Sequence, residues 1–159
     1  MSATKEFEPA AAPRSGRAPI EALRGQTFGA VVALVIQYGL GMWVNVYGHL
    51  PKSDHNKGLF DAFGRAVVNG PAGLSIHAVL GVVLLVMAIG VVVRSARLRR
   101  RLATVLGVIA LISIVGAAVN GASFVGSGAN GDSFGMAISA GVALLSYVIA
   151  LFSLSSASA

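Results

Sequence analysis

The chain has 159 residues, 55% of them hydrophobic and only 11% charged, with a net charge of +6. Soluble domains carry roughly a quarter charged residues, so an ordinary water-soluble fold is excluded: its surface could not be made polar. The mean hydropathy of +0.79 and a length suited to one domain point instead to a small polytopic membrane protein. With no cysteine, disulfides, thiolate metal sites and cysteine catalysis are also excluded.

Residues 1–25 are polar and rich in alanine and proline, and are expected to form a disordered cytoplasmic tail. Glu6, Glu8 and Glu21 argue against a mitochondrial presequence. The first apolar run, from about Phe28, is too long for a signal-peptide core and reads as a retained anchor. Charge-free stretches then occupy 25–51, 66–93, 102–131 and 133–159. Each exceeds the roughly 20 residues a helix needs to cross the hydrocarbon core. The chain lacks the short alternating segments of a β-barrel, so helices must satisfy the backbone in lipid. The predicted fold is all-α: a four-helix transmembrane bundle of two tandem helical hairpins. Its spans are 27–49, 71–94, 102–126 and 133–154, within a membrane domain of 26–154 followed by a short tail of 155–159.

Lysine and arginine set the expected orientation. Lys5, Arg14, Arg17 and Arg24 lie in the tail, and Arg94, Arg97, Arg99, Arg100 and Arg101 lie between the second and third spans. The loop of 50–70 has only Lys52, Lys57 and Arg65, and the last loop has none. The excess predicts both termini in the cytoplasm and a multi-pass protein of the plasma membrane. The same placement argues against nucleic acid as a partner. The arginines could also attract anionic lipid, at about 1 kcal/mol each. Within the first outer loop, Leu59, Phe60, Phe63 and Val67 recur at helical spacing, with Asp61 and Arg65 on another face. This predicts a short helix along the outer membrane surface, and Pro71 suits the first turn of the span after it.

Gly41-Met42-Trp43-Val44-Asn45 in span one is echoed by Gly116-Ala117-Ala118-Val119-Asn120 in span three; both read G-x-x-V-N. The echo is consistent with two hairpins of equal orientation. Small and polar residues form a stripe in each span: Ala33, Gln37, Gly41, Asn45 and His49; Gly73, His77 and Gly81; Ser113, Ala117, Asn120 and Gly121; Gly135, Ser139, Ala143 and Ser146. Such stripes are the faces that pack in lipid. At 1.5 Å per residue, His77 and Ser139 lie about 9 Å below the outer surface, and Asn45 and Asn120 at about 6–8 Å. The expectation is one outer-leaflet polar layer centred on His77. It is either a ligand site or a hydrogen-bonded register layer in which His77 pairs with Asn45 or Asn120. Trp43 and Tyr47 fit an interfacial aromatic belt. No acidic residue lies within a span, which counts against ion-coupled transport. Gly126–Gly131 fits G-x-G-x-x-G, but no strand precedes it, so it reads as a turn.

Two resemblances add to this reading. The helix Ser75-Ile76-His77-Ala78-Val79-Leu80-Gly81 resembles the histidine-bearing helices of membrane cytochromes b and haem A synthases. That resemblance implies haem b, with His77 and His49 as the ligands. The motifs Q-Y-x-L-G-M-W-V-N at 37–45 and H-x-x-L-G at 77–81 resemble a group of small four-span bacterial membrane proteins over most of residues 26–153. It implies an architecture and no activity.

The leading functional expectation is a non-enzymatic accessory or interaction subunit. Its partners would be the lipid bilayer, other membrane-protein subunits or a second copy of itself. The alternatives are a haem b- or quinone-binding redox protein using His77, and a small-molecule carrier.

Overall fold

The structure, a computed structural model, describes residues 17–47, 59–68, 70–127 and 129–156. The described elements are α1 (Arg17–Tyr47), α2 (Leu59–Val68), α3 (Ala72–Arg97), α4 (Arg101–Ser127) and α5 (Asn130–Ser156). The four long helices are each long and apolar enough to cross a membrane. At 1.5 Å per residue even the shortest of them, α3, is about 39 Å long, against a hydrocarbon core of about 30 Å. The fold is the expected all-α bundle, and no strand occurs among the described residues.

One boundary differs from the sequence reading. α1 begins at Arg17, so 17–25 are helical rather than part of a disordered tail. Pro19 is tolerated in a first helical turn, and Glu21, Ala22, Leu23 and Arg24 are good helix formers. Tertiary packing then fixes the segment. Leu23 and Thr27 are fully buried, and the Thr27 hydroxyl donates to the Leu23 carbonyl at 2.8 Å. Low hydropathy hid a helical turn that packs through a single face.

The outside of the bundle is apolar at mid-helix. Ile36, Val86, Ile112 and Leu145, one from each long helix, are all more than half exposed. In water each such side chain would forgo about 1.5–3 kcal/mol of burial. A helix that is apolar all round has hydrocarbon as its solvent.

α1, α3, α4 and α5 form a ring in which every helix touches its two sequence neighbours, and α5 closes against α1. The α4–α5 hairpin makes the most extensive of these contacts. α2 lies against α3 and α4. Two separate apolar clusters hold the ring together. The larger includes Leu23, Leu34, Leu84, Val91, Ala110, Tyr147 and Leu154. The smaller contains Val44, Leu74, Ala78 and Val125, with Val67 of α2 packed on it. Between them the packing opens. No side chain of α4 from 115 to 124 is buried, and none of α5 before Ala143. Those stretches carry Gly116, Ala117, Ala118, Gly121, Ala122, Ala137 and Ala140, which are too small to fill the space between four helices.

In the seams themselves, small residues bring the helices together. Between α1 and α3, Met87 lies over Gly29, the His77 ring over Gly41, the Gln37 amide over Gly81 and the Trp43 ring over Gly73. Between α4 and α5, Asn120 lies over Gly135, Ser139 over Gly116 and Met136 over Gly121. The G-x-x-V-N echo therefore extends into the packing: its first glycine receives a polar side chain of the next long helix in both hairpins.

α3 and α4 are joined by a tight turn. The Arg100 amide donates to the Ser95 carbonyl and the Arg99 amide to Ala96, the double closure of a Schellman motif. Arg99 stands at φ 54°, where glycine is usual. A left-handed non-glycine residue costs about 1–2 kcal/mol, offset in part by glycine's greater entropy loss on folding. Arg99→Gly should therefore stabilise the protein by about 0.5–1 kcal/mol. A thermal-unfolding series in detergent checks this, and an unchanged or lowered midpoint would contradict the assigned turn.

Candidate functional site

A cavity of about 420 Å³ occupies the gap between the two clusters, with walls from all four long helices. Its size falls within the range of about 300–1,000 Å³ typical of small-molecule pockets. The lining is dominated by hydrocarbon, including Leu34, Leu74, Leu84, Leu85, Ile114, Phe124 and Met136. The polar residues of the lining are Gln37, Tyr38, Asn45, His77 and Ser133. None of the described lining residues is an Asp, Glu, Lys or Arg. Tyr38, Met42, Val82, Val115 and Val119 line the cavity and are more than 40% exposed. The cavity is thus partly open rather than sealed.

Gln37 and His77 form its polar centre. The Gln37 Nε2 donates to the His77 backbone carbonyl at 2.9 Å and lies 3.3 Å from His77 Nε2. An amide nitrogen has two protons, so one serves the carbonyl and the other the ring. That assignment makes Nε2 the acceptor and places the imidazole proton on Nδ1. The reverse orientation would set Gln37 Oε1 against the His77 carbonyl oxygen, two acceptors face to face. Two atoms of the pair are left over: His77 Nδ1 and Gln37 Oε1 are buried with no hydrogen-bond partner among the described residues. One is a donor and the other an acceptor.

Register explains why these two residues meet. α1 and α3 run antiparallel, and Gly41 faces His77 as Gly81 faces Gln37. Neither glycine has a Cβ to hold the helices apart; one built on Gly41 would lie 3.0 Å from the imidazole Cε1. The same register sets Trp43 over Gly73, so Asn45 is level with the start of α3. Asn45 is exposed and lines the cavity away from the hydrogen-bonded pair.

The predicted layer is therefore divided. Gln37, Asn45 and His77 line the cavity; Asn120 and Ser139 do not. The Asn120 Nδ2 donates to the Gly116 carbonyl of its own helix at 2.8 Å, and Ser139 packs on Gly116 in the α4–α5 seam. His77 pairs with Gln37 in place of the expected Asn45 or Asn120. His49 and His55 lie outside the described residues. Among the described residues, no three of His, Cys, Asp and Glu gather as a metal-ligand set. For haem, His77 Nε2 is already turned to Gln37, and ligation of iron through it would first require that amide to leave.

The sequence reading passed over two further polar groups. Gln26 donates to the Met87 carbonyl at 3.2 Å and lies over Gly90, with Oε1 unpartnered among the described residues. It precedes Gln37 by eleven residues, about three helical turns, so a shared face was available as the signal. Tyr147 is fully buried in the packed half of the bundle, and its hydroxyl also has no partner among the described residues. No spacing distinguishes it from the apolar residues around it.

Comparison of the chain with family models, curated proteins and solved structures finds no match. The site must be interpreted from its own chemistry.

A double-mutant cycle tests the central pair. Combining Gln37→Leu with His77→Leu should give a coupling energy of about 0.6–1.7 kcal/mol, between the average and the maximum measured for hydrogen bonds between membrane helices. Cycles of His77→Leu with Asn45→Leu or with Asn120→Leu should give values near zero. A larger coupling to either asparagine would reassign the partner of His77.

Proposed function

We propose that this protein is a multi-pass plasma-membrane protein that binds a small lipid-soluble molecule and serves as an accessory or interaction subunit, without covalent chemistry of its own. The observation that carries the reading is the cavity of about 420 Å³, apolar on nearly all sides and partly open. The side chains that line a gap of this size lack packing partners across it, and an occupant that fills it supplies those contacts. Gln37 and His77 place one hydrogen-bonded polar pair in the wall of an otherwise apolar site.

Purification in mild detergent, followed by native mass spectrometry and solvent extraction, should reveal a co-purifying molecule. Ala117→Phe, which fills the cavity from α4, should lose it while remaining monodisperse. Absence of any bound molecule from the wild type, together with greater stability of the filled variant, would leave the cavity as a packing fault and sink the proposal. The absorption spectrum should be flat in the visible, before and after dithionite. A Soret band absent from His77→Ala would replace this reading with the haem alternative.

The orientation rests on nine Lys and Arg, four in residues 1–25 and five in residues 94–101 around the α3–α4 turn, against three in the first loop. Because the chain has no cysteine, single-cysteine labelling is free of background. In intact cells an impermeant maleimide should label Gly128→Cys and spare Ser2→Cys and Arg99→Cys. The opposite pattern would invert the protein.

A further inference from the structure

We infer that the molecule held in the cavity is an electrically neutral lipid whose single polar head both donates and accepts a hydrogen bond, as an alcohol or phenol does. This rests on the binding role proposed above and specifies its ligand class.

Three observations carry it. The first is charge. No described residue of the lining is Lys, Arg, Asp or Glu, so an ionised head would enter an apolar site with no opposite charge beside it. Burial of an unpaired ion is strongly unfavourable, which disfavours phosphate, carboxylate and ammonium heads alike. The second is the pair of unmet groups, the Nδ1 proton of His77 and the Oε1 acceptor of Gln37. They belong to two side chains already bonded to one another, and both side chains line the cavity. A hydroxyl has the matching chemistry, an acceptor for the first and a donor for the second. An ester, an ether or the carbonyl of a quinone offers acceptors only and leaves Gln37 Oε1 unmet. In this state both atoms lie covered within the wall, so a turn of the imidazole or amide accompanies binding.

The third observation is the opening. The cavity is partly open, and its wall includes Tyr38, Met42, Val82, Val115 and Val119, all more than 40% exposed. A chain attached to the head can therefore extend out of the cavity. Water is a poor substitute occupant. Cavities lined by hydrocarbon stay dry, and one ordered water at the Gln37–His77 pair would leave most of the volume empty.

The test is photo-crosslinking of the full chain in nanodiscs with three probes of equal length, each carrying a mid-chain diazirine. They are hexadecanol, its methyl ether, and hexadecanoate held ionised at pH 9. The alcohol should label cavity residues saturably, with half-saturation at least tenfold below that of the ether or the carboxylate. Gln37→Leu should raise the alcohol to the value of the ether and leave the ether unmoved. Ala117→Phe should abolish saturable labelling by all three. If ether and alcohol bind equally, the hydrogen-bonding head is refuted while the binding role stands. Should the carboxylate bind best, neutrality is refuted. Saturable labelling by none of the probes, with no co-purifying molecule, would refute the binding role itself. The comparison of heads uses the wild-type protein, so it does not depend on any variant folding.

Discussion

Hydrocarbon gives helices no hydrophobic reason to associate, and the whole architecture follows from how this chain replaces that missing force. It does so by close approach. Glycines in α1 and α3 admit the side chains of Gln37, His77, Met87 and Trp43, and the α4–α5 seam repeats the device with Ser139, Asn120 and Met136. Close approach multiplies dispersion contacts and brings side-chain donors within reach of the opposing backbone, as in the Gln37–His77 carbonyl bond. The polar residues of these helices are therefore in the first instance structural. Asn120 satisfies its own helix, and Ser146 does likewise by donating to the Val142 carbonyl.

Against that background the Gln37–His77 pair stands apart. Small residues that draw two helices together leave a void when four of them line the same level of a ring. In the half of the bundle nearer the α3–α4 turn, Leu23, Leu84, Tyr147 and Leu154 fill the centre. In the other half alanine and glycine predominate on α4 and α5, and a cavity remains. Val67 of α2, packed with Val44, Leu74 and Val125, then closes the far end. The cavity is thus a consequence of which residues were placed where. The polar pair occupies its wall at the level where the helices are least crowded.

The fold was legible in the sequence because it depends on coarse quantities. Four charge-free runs longer than a bilayer is thick leave little choice of architecture, and the observed helices agree with the predicted spans to within a few residues at most ends. The exception, the start of α1, failed because residues 17–25 are polar in composition yet helical by propensity and anchored through Leu23. At the site, His77 was legible as an ionisable residue within a span, and Gln37 as a member of its stripe. Their pairing was not. Depth counted from helix ends assumes that the ends are level, and the assumption put Asn45 opposite His77. The register is set instead by which glycine receives which side chain, and Gly41 and Gly81 fix it one turn differently. A stripe defines the face of a helix but leaves its sliding along the partner open.

The same reasoning separates position from purpose. A hydrogen bond between membrane helices is worth only about 0.6 kcal/mol on average, so a histidine is an expensive means of fixing register if that is its sole use. The second hairpin achieves its register with Asn120 and Ser139, neither of which titrates, at the positions corresponding to Asn45 and His77. What histidine adds at 77 is a ring nitrogen left over after Gln37 has taken the other. A serine in its place would pack on the glycine and offer nothing more. The divergence between two otherwise parallel hairpins falls at the level of the cavity, which is where the proposed ligand would lie.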